Sequence, residues 1–149
     1  MPKRTMQVEA IDHGTVVDHI PSAVTLRVAE LIAEDGDQVF IGVNLKSKKV
    51  GNKGVVKIAS RELRPATLSR LALLAPHATM CIIRDYQVVA KDPIPVPDSF
   101  TDIALCPNAN CVTNHERWPT QFDVLSQRPL QVRCLHCERD FPASELAIR

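Results

Sequence analysis

Cys106 and Cys111, followed by Cys134 and Cys137, are the residues of this chain best suited to chemistry. They read C-x4-C, then a long loop, then C-x2-C. Two close pairs separated by about twenty residues can bring four thiolates to the corners of a tetrahedron, which is how a structural Zn2+ site is built. Four sulfurs leave no open coordination position, so the ion should hold a fold together and perform no reaction. His136 lies between the second pair and His115 follows the first, but the cysteines already complete the shell. Four thiolates on Zn2+ carry a formal net charge of about −2, which Arg133 and Arg139 would offset. The competing reading, two disulfides, needs an oxidising compartment. Met1-Pro2-Lys3-Arg4 is followed by charged and polar residues with no signal-peptide core. A cytoplasmic chain that binds metal is therefore expected.

The elements that must position these cysteines form a short module. From Ile103 onward it is only about fifty residues long, too small to bury much apolar surface unaided. Metal-binding free energy then becomes folding free energy. Phe122, Val124, Leu130, Val132 and Phe141 are its candidate strand residues. Upstream, Pro93, Pro95 and Pro97 stand at every second position. Prolines fix φ and donate no backbone hydrogen bond, so this stretch should be an extended, semi-stiff spacer. The expected organisation is a first domain over residues 1–95, a linker over 96–101 and a metal-binding domain over 102–149.

The first domain alternates strands with helices. Gln7 to Ile11 and Thr15 to Ile20 read as strands around an Asp12-His13-Gly14 turn. Val24, Val28, Leu31 and Ile32 recur at helical spacing, with Ser22 as N-cap and Asp35-Gly36-Asp37 as the stop. Val39, Ile41, Val43 and Leu45 alternate as a strand. Lys46 to Gly54 reads as a hairpin loop and Val55 to Ala59 as the returning strand. A second helix runs from Pro65 to Pro76. Thr79 to Ile83 and Tyr86 to Ala90 form a last hairpin across Arg84-Asp85. Short connections favour antiparallel pairing. The expected fold is α+β, an antiparallel sheet covered by two helices in a ferredoxin-like sandwich, followed by a small all-β zinc-ribbon-like domain.

The polar residues among those strands are Glu9, Asp18, His19, Lys57, Tyr86 and Lys91. Each alone reads as a solvent-facing strand residue. Together they can line one pocket, with a carboxylate for ribose hydroxyls, a His and two Lys for phosphates, and edge backbone groups for a base. There is no Gly-rich phosphate loop. Lys46, Lys48, Lys49 and Lys53 read as a solvated loop. Cys81, the fifth cysteine, has a strand context that suggests a small buried residue.

Composition excludes several classes. A hydrophobic fraction of 45% fits a folded protein, and 4% aromatics means a core of Val, Ile, Leu and Ala. A net charge of +1 argues against a general nucleic-acid binder. A zinc ribbon that reads nucleic acid would show a basic stripe with stacking aromatics, whereas this module has one Trp, Trp118, and acidic residues nearly balance its basic ones. No apolar run reaches the roughly 18 residues of a membrane span. An independent enzyme would need a nucleophile, a base and an oxyanion donor in one pocket, and none can be assembled.

Several segments together resemble the aspartate carbamoyltransferase regulatory chain. They are Val8-Glu9-Ala10-Ile11, Gly14 to Pro21 with its Asp18-His19-Ile20-Pro21, Ile41 to Leu45, Lys57-Ile58, Leu73 to Thr79, Tyr86 to Val89, Cys106 to Cys111 and Cys134 to Glu138. The likeness runs nearly end to end. It implies a non-catalytic allosteric subunit of pyrimidine biosynthesis. In that family CTP inhibits, with UTP assisting, and ATP activates. The N-terminal domain pairs with its copy in a regulatory dimer, and the zinc domain docks on the catalytic chain in an assembly of catalytic trimers and regulatory dimers. By the same resemblance, Glu9, Ile11 and Val16 would lie at the base or ribose side of the effector. Asp18 and Lys57 would bond ribose or base groups, and His19 and Lys91 would face phosphates. Ile83, Tyr86 and Val88 would close the pocket. Asn108, Asn110, Glu138 and Arg139 would contact the catalytic chain, with Arg139 where a Lys is common. Cys81 stands where the family commonly has Asn, and Asp12-His13 replaces a more basic pair.

Overall fold

A computed structural model of the chain describes residues 10–47 and 51–149. Contacts divide it into two compact units, one of residues 1–67 and 77–94, the other of residues 68–76 and 95–149. Among the described residues no helix is long and apolar enough to cross a membrane.

The first unit is built on the order β1 (Gly14–Pro21), α1 (Thr25–Ile32), β2 (Val39–Ser47), β3 (Gly51–Ala59), α2 (Pro65–Leu74), β4 (Thr79–Arg84) and β5 (Gln87–Pro93). The sheet order is β2-β3-β1-β4-β5, with antiparallel pairing throughout. The first four strands and two helices follow the β-α-β-β-α-β ferredoxin-like plan, and β5 extends it as a hairpin arm. The expected α+β class is borne out. The helix α2 crosses the division between the units, since residues 65–67 belong to the first and 68–74 to the second.

Strand alternation gives β3 two opposite faces. Gly54, Val56 and Ile58 face one way, and Lys53, Val55 and Lys57 face the other. Val56 and Ile58 are fully buried, as are Val17 and Ile20 of β1. The helix α1 lies against β2 and β3. It buries Thr25, Val28, Ala29 and Ile32, the i, i+3, i+4, i+7 stripe of an amphipathic helix. Each such aliphatic side chain contributes roughly 1.5–3 kcal/mol on burial. At Gly54 the backbone meets the helix so closely that a Cβ would fall 1.8 Å from Thr25 Oγ1.

Several local expectations are corrected. Gln7 to Glu9 lie outside the described residues, and Ala10 and Ile11 carry no regular structure. Ser22 does not cap α1. The chain enters through a single 3₁₀ turn, Ser22–Val24, and the Ser22 hydroxyl is buried without a partner. Thr25 instead donates its hydroxyl to Pro21 O at 3.1 Å. The helix ends at Ile32, before the expected stop. There Arg61 donates to Ile32 O and grips Asp37 at 2.7 Å and 3.1 Å, satisfying a terminal carbonyl. The expected loop Lys46 to Gly54 is mostly ladder, because Leu45, Lys46 and Ser47 pair with Lys53, Asn52 and Gly51. Lys48 and Lys49 lie outside the described residues. The β4–β5 turn is Asp85-Tyr86, with φ of 51° and 64°. Positive φ at both central residues is the tight-hairpin geometry that follows strand twist.

The second unit holds β6 (Ser99–Thr101), β7 (Ala104–Leu105), β8 (Gln121–Gln127), β9 (Leu130–Cys134), β10 (Asp140–Pro142) and β11 (Ala147–Ile148). Its sheets run β10-β9-β8-β6 and β11-β7. Phe100, Phe122 and Val132 form a fully buried centre. Cys106 and Cys111 sit on the loop that leaves β7, and Cys134 ends β9 with Cys137 on the turn that follows.

Gly54→Ala is expected to cost about 1–3 kcal/mol, the range for forcing a methyl into a filled space. The urea midpoint measures it, and an unchanged midpoint would show that Thr25 yields freely.

Candidate functional site

The four cysteines converge. Their sulfurs all lie within 4.8 Å of one another, and three of the four residues are buried. Cys106 Sγ and Cys137 Sγ are 3.8 Å apart, as are Cys111 Sγ and Cys134 Sγ. A tetrahedral ion with metal–sulfur bonds of about 2.3 Å requires sulfur–sulfur edges of about 3.8 Å. The donor set therefore fits a closed tetrathiolate metal site.

The loops hold this geometry through backbone bonds. Cys111 N–H donates to Asn108 O, and Cys134 N–H to Arg139 O, both at 3.0 Å. Glu138 N–H donates to Cys134 O at 2.8 Å with Glu138 at φ 61°. Asn114 Nδ2 bridges Cys106 O and Asn108 O at 3.0 Å and 2.7 Å. Burial pushes the Cys106 and Cys134 thiols up. Burial also pushes Cys137 up, but the Arg139 N–H, the Asn108 side chain and the neighbouring thiols bring it down to about 7. Neither His115 nor His136 joins the cluster. His136 Nε2 lies 3.0 Å from Pro119 O, and its ring meets Trp118 edge-on at 5.7 Å. Asn110, Glu138 and Arg139 are exposed and Asn108 is half-buried on these same loops. Arg133 is engaged by Asp140, at 2.7 Å and 3.1 Å.

On the sheet face away from α1, one row of paired residues crosses all five strands: Phe40, Lys57, Val16, Cys81 and Lys91. Below this row β1 bulges. Val17 pairs with Val56 and Ile20 with Gly54, so Asp18 and His19 together oppose Val55. His19 takes φ 57°. Such a bulge re-aims side chains. Asp18 faces the cavity, and its Oδ1 accepts the His19 N–H at 2.6 Å.

A cavity of about 450 Å³ opens here, lined by Val16, Asp18, Leu45, Lys53, Val55, Lys57, Cys81, Ile83, Val88 and Lys91. Lys53 Nζ lies 2.8 Å from Asp18 Oδ1 and 3.0 Å from Oδ2. Burial pushes the Asp18 carboxyl up, but the bonds from Lys53 and His19 N–H outweigh it and hold the group below the ordinary range. Burial pulls the Lys57 ammonium down, against the pull of Asp18. Burial pushes the Cys81 thiol up, against the charge of Lys91. The cavity is thus an apolar floor bearing three ammonium groups and one carboxylate. That wall suits an anion with an apolar body.

Of the residues named from sequence, Val16, Asp18, Lys57, Ile83, Val88 and Lys91 line this cavity. Ile11 adjoins it, in an apolar cluster with Cys81 and Ile83. His19 and Tyr86 do not line it. The His19 ring is 2.9 Å from Thr79 Oγ1. Tyr86 is 70% exposed at the hairpin turn, and its N–H bonds Asp12 O. Glu9 lies outside the described residues. Lys53, Leu45 and Val55 were not among the named site residues. The alternation Lys53, Val55, Lys57 was the signal that could have found them.

Comparison with known proteins now bears on the chain. Residues 6–94 match the family model for the aspartate carbamoyltransferase regulatory chain, allosteric domain, and residues 98–147 match its metal binding domain. The chain is 44% identical to the aspartate carbamoyltransferase regulatory chain of Pyrococcus abyssi, over 95% of each chain. It is 41% identical to that of Thermococcus kodakarensis, over 99% of this chain and 98% of the other. For the Bacteroides thetaiotaomicron protein of the same name the identity is 38%, over 98% and 97%. An allosteric half that carries the cationic cavity and a metal-binding half that carries the thiolate cluster place this chain, as a non-catalytic subunit, in the aspartate carbamoyltransferase regulatory chain family.

Proposed function

We propose that the chain conveys the binding of nucleotide effectors to the catalytic chains of aspartate carbamoyltransferase in pyrimidine biosynthesis, in the cytoplasm. The observation that carries this reading is the cavity of about 450 Å³ on the open sheet face, with Lys53, Lys57, Lys91 and Asp18 in its walls. Its volume is that of a small-ligand site. CTP, UTP and ATP are the proposed effectors. Lys57 and Lys91 take phosphates or ribose, Asp18 takes nucleoside donors, and Val16, Ile83 and Val88 flank the base. Ile11, beside Cys81 and Ile83, extends the proposed site, and Glu9, His19 and Tyr86 are proposed as further effector contacts.

The ion is Zn2+, whose thiolate bonds of about 2.3 Å match the sulfur spacing. Asn108, Asn110, Glu138 and Arg139, on the loops that hold it, dock on the catalytic chain. Residues 1–95 form the effector domain and pair with a second copy. Residues 96–101, the last three of which form β6, link it to the docking domain, 102–149. Regulatory dimers then join catalytic trimers. An effector changes activity only through unequal affinity for the two states of the assembly.

The deciding experiment mixes the chain with its cognate catalytic subunit and titrates CTP and ATP against the aspartate saturation curve. A shift of the half-saturation point by either nucleotide supports the reading, and an unmoved curve with both rejects it. Lys91→Ala is expected to weaken triphosphate binding by about 1.5–3 kcal/mol, the range for a hydrogen bond to a charged group. Unchanged calorimetric affinity removes Lys91 from the site. Stripping the ion with a mercurial should unfold the C-terminal module and release the catalytic chains. Assembly that survives complete metal loss would contradict the docking role.

A further inference from the structure

Lys53 and Asp18 meet inside the cavity, and the way they meet limits what the cavity can bind. Lys53 Nζ lies 2.8 Å from one Asp18 oxygen and 3.0 Å from the other. Both side chains line the same cavity as Lys57 and Lys91. They come from adjacent strands, Asp18 within the slip of the β1–β3 ladder and Lys53 opposite Pro21 just beyond it.

Resting on the effector-site reading above, we propose that Asp18 is the specificity-determining residue of the cavity: it withholds Lys53 from a bare polyphosphate and releases it only to a ligand that brings hydrogen-bond donors of its own. An ionised carboxylate has about four lone-pair sites. Lys53 and the His19 N–H use part of that capacity. Inorganic triphosphate at neutral pH offers essentially acceptors. If it drew Lys53 away, it would leave the partly buried Asp18 carboxylate without its counter-charge and beside another anion, and both effects are costly. It therefore meets Lys57 and Lys91 alone. A nucleotide carries ribose hydroxyls or a base amino group. These donors replace the ammonium at Asp18, and Lys53 turns to the phosphates. The cavity thus requires both halves of a nucleotide at once.

The test uses the full metal-loaded chain and calorimetry with two probes, sodium tripolyphosphate and CTP. Asp18→Asn is expected to bind tripolyphosphate about tenfold more tightly, the size of one charge-assisted contact, and CTP more weakly. Lys53→Met alone should weaken both probes, tripolyphosphate because it then meets an Asp18 carboxylate stripped of its counter-charge. Adding Lys53→Met to Asp18→Asn should cancel the gain. Tripolyphosphate affinity in Asp18→Asn that is equal to or below that of the parent, with CTP still bound by the parent, overturns the proposal and leaves the effector site standing. Asp18→Asn that binds CTP more tightly along with tripolyphosphate also overturns it, since the carboxylate would then act by charge alone, and Asp18→Ala repeats the comparison if Asp18→Asn does not fold. A parent chain that binds neither probe rejects the effector site, and the proposal falls with it.

Discussion

The two-residue period of β3 is the constraint on which the first unit depends. Gly54, Val56 and Ile58 must face α1, because Thr25 fills the space above Gly54 and the two aliphatic residues are fully buried. That requirement puts Lys53, Val55 and Lys57 on the other face with no further freedom. A slip by one residue would drive two ammonium groups against α1 and expose the aliphatic residues. The apolar core therefore determines where the cations go. Strand pairing then carries the register outward from Lys57 to Val16, Cys81 and Lys91. The cavity is assembled by the same pairing that stabilises the sheet.

The second unit solves a different problem. Its sheets are short, with two- and three-residue strands at β6, β7, β10 and β11. Its cysteine loops are held by single backbone bonds and the Asn114 bridge. Three of the four thiol residues are buried, and for Cys106 and Cys134 burial disfavours the ionised form. A bound cation reverses that preference by supplying the opposite charge. Asn108 joins two roles, since its side chain bonds Cys137 while its backbone anchors Cys111 and Asn114. A loop so tied to the cluster has its shape only while the cluster holds.

The cysteine cluster was legible because its information is local: two short spacings and a loop. The α+β class was legible for a similar reason, since strand alternation and the α1 stripe each show within a few residues. Two kinds of feature were not. The first is long-range pairing. Lys53 sat in a charge run that reads as a solvated loop, yet the β2–β3 ladder continues to Ser47 and Gly51 and lifts it into the cavity wall. The second is local backbone conformation. Ser22 has the chemistry of a cap but enters a 3₁₀ turn. Tyr86 reads as a strand residue but takes φ 64° in the exposed hairpin turn and does not line the cavity. The β1 bulge combines both, because no motif announces that Asp18 and His19 share one partner.

That bulge has a consequence for how the gene can vary in length. Most strand positions tolerate exchange of one residue for another on the same face. Between Val17 and Ile20 the first strand holds one residue more than its partner does between Val56 and Gly54, and the bulge absorbs it so that Ile20 stays on the buried side. Removal of a single codon here would leave one residue opposite Val55 and a regular ladder, with Val17 and Ile20 still on the buried side but the bulge that re-aims Asp18 lost. The strand's burial therefore tolerates loss of one residue of this dipeptide, and what such a loss removes is the local geometry at the cavity wall.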